Sequence, residues 1–228
     1  MSSLGCVKSA PVLRGGPFAR GMWLVSGLLL CAIGILCFLE AKLGLAPWDV
    51  LHQGIAKHTP LSFGLANEAV GVVVVAIAWR LGARIGIGTV ANAVLIGGFI
   101  ALIQGFDLLK PFDGAPLGAR AGMLALGMVC FGVGTALYIG ADLGAGPRDS
   151  LMLVASRRTG VRVGLTRAGL ELTVLVAGFL LGGRVGVGTL VFALGIGPSV
   201  ELAFLAALHS PFVSRVIPRA PLPASLGS

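Results

Sequence analysis

Long apolar runs, separated by short polar or glycine-rich breaks, dominate the pattern of this chain. Six runs approach the roughly 20 mainly apolar residues that a helix needs to cross a bilayer: 21–42, 63–81, 87–107, 120–141, 163–182 and 187–208. Few ionisable groups interrupt them, chiefly Glu68, Glu171 and Glu201. Between the first and second runs, and again between the fourth and fifth, lies a stretch too polar to cross yet regular enough for a short helix. Pro47 and Pro147 open these two stretches.

Shifting the chain against itself by 100 residues exposes its organisation. Leu43-Gly44-Leu45-Ala46-Pro47-Trp48-Asp49-Val50-Leu51 falls over Leu143-Gly144-Ala145-Gly146-Pro147-Arg148-Asp149-Ser150-Leu151. At the same offset, Leu81-Gly82-Ala83-Arg84-Ile85-Gly86-Ile87-Gly88-Thr89 falls over Leu181-Gly182-Gly183-Arg184-Val185-Gly186-Val187-Gly188-Thr189. A unit with three crossings emerges on the far side of the bilayer, so its second copy runs upside down. The expected fold class is therefore an all-α membrane protein: six transmembrane helices as two inverted three-helix repeats, each with a short interfacial or re-entrant helix. Many secondary transporters and several channels use this construction. The expected segments are 1–19 (cytoplasmic), 20–107 (first repeat), 108–119 (connecting loop), 120–208 (second repeat) and 209–228, a proline-rich flexible tail.

Composition supports the membrane reading and closes others. The chain is 56% apolar and only 11% charged, against about 25% charged in an ordinary soluble domain. A water-facing globule, a disordered chain and a disulfide-stapled secreted domain are thereby excluded. The net charge of +8 would suggest nucleic acid in a soluble protein, but here the cations stand between apolar runs and read as topology signals. A cytoplasmic N-terminus puts twelve of the 17 Lys and Arg inside, leaving Lys42, Lys57, Lys110, Arg120 and Arg184 outside. Both termini are expected in the cytoplasm, with Trp23 and Trp79 near the inner interface and Trp48 near the outer one. Residues 1–19 lack an apolar core of their own and do not read as a cleavable signal peptide. Cys6, Cys31, Cys37 and Cys130 show no metal-ligand spacing and read as buried thiols. No metal and no cofactor are expected.

Two readings of each repeated motif stay open. In Leu-Gly-x-x-Pro-x-Asp, glycine permits a sharp exit from the first span, and proline suits a first helical position. Asp49 and Asp149 then fall in the first turn, where free N–H groups and the helix dipole favour a carboxylate. Either the motif only starts an interfacial helix, or the helix dips inward and presents its positive end, with the Asp, to a solute or ion. In Leu-Gly-x-Arg-x-Gly-x-Gly-Thr, Thr89 and Thr189 can cap the following helix. Arg84 and Arg184 would bond carbonyls ending the preceding helix or reach lipid phosphate; the other reading makes them anion contacts at opposite pore mouths. Gly27 with Gly34, and Gly127 with Gly134, form one stripe on the first helix of each half, facing a partner helix or a narrow path.

Ionisable residues inside spans cost about 2.5–3.5 kcal/mol on insertion scales and are functional candidates by default. Glu171, Glu68 and Glu201, with Asn67, Asn92 and Thr173, are the expected lining of a solute or ion pathway, joined by Asp49 and Asp149. His52 and His58, on the short outer helix, read as solvated or lipid-facing. No metalloprotease, serine-hydrolase, aspartyl or Cys-His constellation is present, so an enzyme is not expected.

At Leu143-Gly-Ala-Gly-Pro-Arg-Asp-Ser-Leu151, followed by Arg157-Arg158-Thr159-Gly160, and at Gly183-Arg-Val-Gly-Val-Gly-Thr189, the chain resembles the YczE/YyaS/YitT group of bacterial integral membrane proteins. The resemblance covers about residues 20–208. It implies a small polytopic inner-membrane protein, with export of small molecules as the proposed kind of activity, and it carries over no catalytic residues. The expected function is a secondary transporter or exporter of small, amphipathic molecules, proton-coupled through Glu171 and Glu68, with the lipid bilayer, an unknown solute and a homo-oligomer as partners and no nucleic acid. The alternative is a non-transporting membrane scaffold.

Overall fold

Each apolar run forms one helix, and both proline-led stretches form shorter ones. The computed structural model describes residues 10–106, 115–211 and 213–216. Cys6, Lys8, Lys110 and Arg219, with most of the 108–119 connector and the tail beyond residue 216, lie outside the described residues. In chain order the helices are α1 (Pro17–Ala41), α2 (Pro47–His58), α3 (Phe63–Arg80), α4 (Ile87–Gly105), α5 (Leu117–Gly140), α6 (Pro147–Thr159), α7 (Val163–Leu180) and α8 (Val187–Leu208). The starts at residues 17, 47, 63 and 87 recur at 117, 147, 163 and 187, so the 100-residue offset governs elements as well as letters.

The protein is all-helical in its core. Among the described residues, α1, α4, α5, α7 and α8 are long and apolar enough to cross a membrane. The remaining long helix, α3, carries Asn67, Glu68 and Arg80 in its 18 residues. A small addition escaped the sequence: Pro11–Leu13 (β1), in the segment before the first span, pairs antiparallel with Val213–Val216 (β2), in the stretch that composition assigned to a flexible tail. Apolar Val12 and Leu13 are buried, and Leu13 lies against Gly140 at the end of α5, which gives the short ribbon an apolar surface to rest on.

The centre of the fold is the crossing of α1 with α5. A Cβ placed on Gly27 would stand 2.7 Å from the Gly134 carbonyl oxygen, and one on Gly34 would stand 2.7 Å from that of Gly127. The pairing of 27 with 134 and 34 with 127 means that the helices run in opposite directions. The two glycine stripes therefore face each other and let the backbones touch. Each end of the crossing is tied by an arginine to carbonyls that the other helix leaves without an internal partner. Arg20 donates from Nε to Ala141 O at 2.7 Å and from Nη2 to Asp142 O at 2.5 Å; Arg120 donates to Ala41 O at 2.9 Å and Lys42 O at 2.8 Å.

The repeated motifs also serve each other. Gly188 N–H donates to Leu43 O, and Gly88 N–H to Leu143 O, both at 2.8 Å. The Leu-Gly turn of one half thus docks on the Gly-x-Gly-Thr turn of the other. Gly44, at φ +147°, and Gly144, at φ +113°, adopt backbone that L side chains rarely enter. A Cβ on Gly44 would also sit 2.5 Å from Thr189 Oγ1. As the motif predicts, Thr89 and Thr189 cap their helices, accepting from Gly86 N–H at 3.3 Å and Gly186 N–H at 3.1 Å.

The short helices are exchanged between halves: α2 packs along α7, and α6 along α3. At its start, α2 places Trp48 against Glu171, midway along α7; at its end, Lys57 Nζ donates to Gly182 O, just past the end of α7. It therefore runs parallel to α7 from the middle of that helix to its end. Likewise α6 runs from Asn67, near the start of α3, to Leu81, where Arg158 Nε donates to the carbonyl at 3.1 Å. These cations come from the exchanged helices, so Lys57 and Arg158 cover carbonyls for which the sequence offered Arg184 and Arg84.

Candidate functional site

The inward starts of α2 and α6 bring polar groups together between apolar helices. Glu171, on α7, is fully buried. Its Oε1 accepts from Trp48 Nε1 at 3.2 Å and lies 2.9 Å from Arg167 Nε, one helical turn earlier. Arg167 is 3% exposed and pairs through Nη1 with Asp149 at the start of α6. The other Asp149 oxygen accepts from the Tyr138 hydroxyl, near the end of α5, and that hydroxyl in turn accepts from Gly146 N–H at 3.3 Å. Arg148 stacks over Trp48, its guanidinium carbon 4.8 Å from the ring centre, and donates from Nη2 to Asn67 Oδ1 at 3.3 Å. Trp48 and Arg148 occupy the same motif position 100 residues apart, so equivalent residues of the two halves touch here.

Two arginines and two carboxylates compose the cluster: Asp149, Arg167 and Glu171 are buried, and the half-buried Arg148 offsets the second negative charge when both acids are ionised. Such a pairing offsets the large desolvation cost of each ion, and removing one member leaves the others exposed to it. Glu171 Oε2 is buried and meets no hydrogen-bond donor among the described residues.

A cavity of about 420 Å³ opens beside Trp48, between α2, α3, α6 and α7. Leu51 with Leu151, Val70 with Leu170, Val73 with Thr173 and Val74 with Val174 line it. Each pair is related by the offset of 100, so the cavity lies where the halves meet. Thr173 adds no free hydroxyl, since its Oγ1 donates to Gly169 O at 2.8 Å.

With this geometry in view, sequence comparison places the chain among known proteins. A profile described as "Family of unknown function (DUF6198)" matches residues 18–204, which is more than half of the chain. The chain belongs to this family. An uncharacterized protein of Haemophilus influenzae is 36% identical over 192 residues, covering 83% of this chain and 86% of the relative. The uncharacterized membrane protein YczE of Bacillus subtilis is 36% identical over 185 residues, covering 78% and 82%. YyaS of the same bacterium is 24% identical over 196 residues, covering 83% and 94%. DUF6198 and these relatives establish a membrane protein of the YczE/YyaS family; no solved structure matches.

In this DUF6198 protein the candidate residues separate into three groups. Glu171, Asp149 and Asn67 meet in the cluster, with Asp49 at its edge, where Asp49 Oδ1 lies 3.6 Å from His52 Nδ1. Glu201 lies elsewhere, bonded by Arg162 Nε at 2.6 Å across α7 and α8. Glu68 is exposed on α3, and Asn92 packs against Gly146 at the entry of α6. Pro47 and Pro147 are the first residues of α2 and α6. Arg84 and Arg184 are exposed; burial, and then the like charge of Arg84, push the Arg157 guanidinium below its usual range. Thr173 lines the cavity.

Four expectations are corrected. Trp48 is 3% exposed and bound to Glu171, so it is no interfacial belt residue, because α2 starts inside the protein. His52 is fully buried for the same reason. Arg167 is a buried ion-pair partner instead of a cytoplasmic topology signal, and Arg148 is held inside by Trp48 and Asn67. The sequence carried a signal for the first of these arginines: Arg167 and Glu171 stand four apart on a spanning helix, the spacing of a helical ion pair. Tyr138, the chain's one tyrosine, went unread because nothing local distinguishes it from its apolar neighbours. Among the described residues no three His, Cys, Asp or Glu gather as metal ligands.

Proposed function

We propose that this protein is a proton-coupled secondary transporter, most simply an exporter, of small amphipathic molecules in the bacterial inner membrane. In this reading α3 is a sixth crossing, the halves are inverted copies, both termini face the cytoplasm, and the starts of α2 and α6 are re-entrant ends. The antiparallel α1–α5 crossing and the exchange of α2 and α6 support the inverted arrangement; the charge bias supports the orientation. The protein is proposed to act without chemical catalysis.

The observation that carries the proposal is the buried Glu171 beside a cavity formed where equivalent helices meet. Ionised, Glu171 holds the Trp48 indole and balances Arg167. Protonated, it loses the charge that both attract, leaving Arg167 to Asp149 and loosening the Trp48–Arg148 stack at the cavity floor. Glu68, next to Asn67 on the exposed side of α3, serves as the proton's entry group. Solute occupancy and proton occupancy are thereby coupled through Trp48, and each biases the other by its differential affinity for the two arrangements.

Purified protein in liposomes containing a pH-sensitive dye tests the reading. A neutral hydrophobic dye moving against a proton gradient should drive an internal pH change, and Glu171→Gln should abolish that coupling. Absence of both proton and dye movement in the wild-type protein overturns transport. Stable co-purification of a membrane partner, with full tolerance of Glu171→Gln, would favour the scaffold role instead.

A further inference from the structure

The cavity itself narrows the ligand. It is bounded on the inside by Trp48 and Leu51 of α2 and Leu151 of α6, and its sides are α3 and α7. Its rim includes Val73, which is 56% exposed, and Thr173, which is exposed but turns its hydroxyl onto its own helix. Beside that rim Val72 and Ile77 on α3 and Leu172 and Val176 on α7 are outward and apolar, with the exposed Glu68 one turn nearer the start of α3. The opening therefore faces the hydrocarbon side of the helices.

Inside, the walls offer neither a charge nor a free hydrogen-bonding group. Trp48, the one lining side chain with an N–H, already donates it to Glu171. A hydrated or charged ligand would lose its water with nothing in exchange, at a cost of several kcal/mol. A hydrocarbon segment loses nothing and fills the space. The volume of about 420 Å³ lies within the roughly 300–1,000 Å³ that small-molecule sites occupy.

We infer that this cavity binds an uncharged hydrocarbon segment that enters sideways from the bilayer between α3 and α7 and rests against Trp48. The inference rests on the transport reading for its purpose, since it names the apolar part of the proposed substrate, but the binding itself does not require transport. The same chemistry has two sources, a phospholipid acyl chain or a lipophilic solute dissolved in the membrane. Either one reports through the indole that also holds Glu171.

The test uses full-length protein with Trp23→Phe and Trp79→Phe, leaving Trp48 as the single tryptophan, reconstituted in vesicles. One arm uses phosphatidylcholine brominated in mid-chain; the other uses unbrominated lipid titrated with a bromoalkane. Bromine quenches indole at short range, so a bound chain should cause a marked loss of emission in at least one arm. Loss with brominated lipid alone identifies a resident acyl chain, and saturable loss with the bromoalkane identifies a solute site. Val70→Phe, which fills the cavity, should restore the emission; Val73→Phe at the rim is the second variant should the first fail to fold. Trp48 that stays bright in both arms, while a protein retaining only Trp79 is quenched, overturns the inference. So does quenching that survives both cavity-filling variants, or quenching by aqueous iodide in place of bromine. A bound chain with no proton or dye flux would leave this site standing and sink the transport reading.

Discussion

The two halves share a plan yet do not pack alike, and α3–α4 against α7–α8 is the telling comparison. In the second half, α7 lies along α8. A Cβ on Gly164 would meet the Gly197 carbonyl oxygen at 2.8 Å, so these helices touch through glycine, and Arg162 bonds Glu201 across the same seam. In the first half the corresponding α3 and α4 have no comparable contact among the described residues. The equivalent of Gly197 is Gly97, where an added methyl group would find no atom of the described residues within 4 Å. Ser62 and Ala101 stand where Arg162 and Glu201 would be. About 11% of the apolar window of α4 is buried, against 39% for α8. One pair of helices is closed and its equivalent is open.

The buried ions divide the same way. Arg167, Glu171 and Tyr138 belong to the second half, and their equivalents Asn67, Gly71 and Phe38 carry no charge. Replacing Arg167 with Met should therefore be the most damaging change, costing about 3–5 kcal/mol because Asp149 and Glu171 remain buried without it. Asn67→Leu, at the equivalent position, should cost about 1.5–3 kcal/mol at most through the lost bond to the charged Arg148. Thermal unfolding in detergent micelles compares the two; equal losses would break the distinction between the halves.

The α1–α5 crossing should behave in the opposite manner, because both halves contribute equally. Gly34→Val and Gly134→Val should each cost about 1–3 kcal/mol or more by driving a side chain into backbone, and the two costs should agree. Arg20→Ala and Arg120→Ala should each cost about 1–3 kcal/mol through lost charge-assisted bonds to helix-end carbonyls, with Arg20 also losing its ion pair with Asp142 at 3.3 Å. A large disparity within the glycine pair, measured by the same unfolding assay, would show that the central crossing is not shared evenly.

The smallest expected effect sharpens the open seam. Installing Ser62→Arg with Ala101→Glu transplants the ion pair of α7 and α8 onto α3 and α4. A partly exposed pair is worth about 0.2–1 kcal/mol, enough to raise the yield of a disulfide between cysteines placed on α3 and α4 in a background lacking native cysteines. An unchanged yield would mean that the seam is held open by something other than the missing pair.

Much of the fold was legible because burial in lipid writes itself plainly. A helix satisfies its own backbone polar groups, so every spanning element must be a long apolar run, and the 100-residue offset could be counted directly. The site was half legible. Glu171 and Asp149 stand out as acids in apolar or motif contexts and Arg167 keeps the four-residue spacing to Glu171, whereas Arg148 looks, letter by letter, like the cations that flank any span. Their burial depends on partners 18 and 81 residues away on other helices, Asp149 for one and Asn67 for the other, and no local pattern encodes that distance.

What the sequence determined alone was the membrane class, the order of the helices, the capping threonines and the duplication, since each follows from local chemistry or from a constant spacing. Tertiary structure alone decided that α2 lies on α7 and α6 on α3, that Trp48 leaves the interface to hold Glu171, and that the second half is closed while the first is open. These choices depend on which surfaces meet after the helices exist. Glycine stripes, carbonyl ends and single charges acquire their meaning only from what stands opposite them.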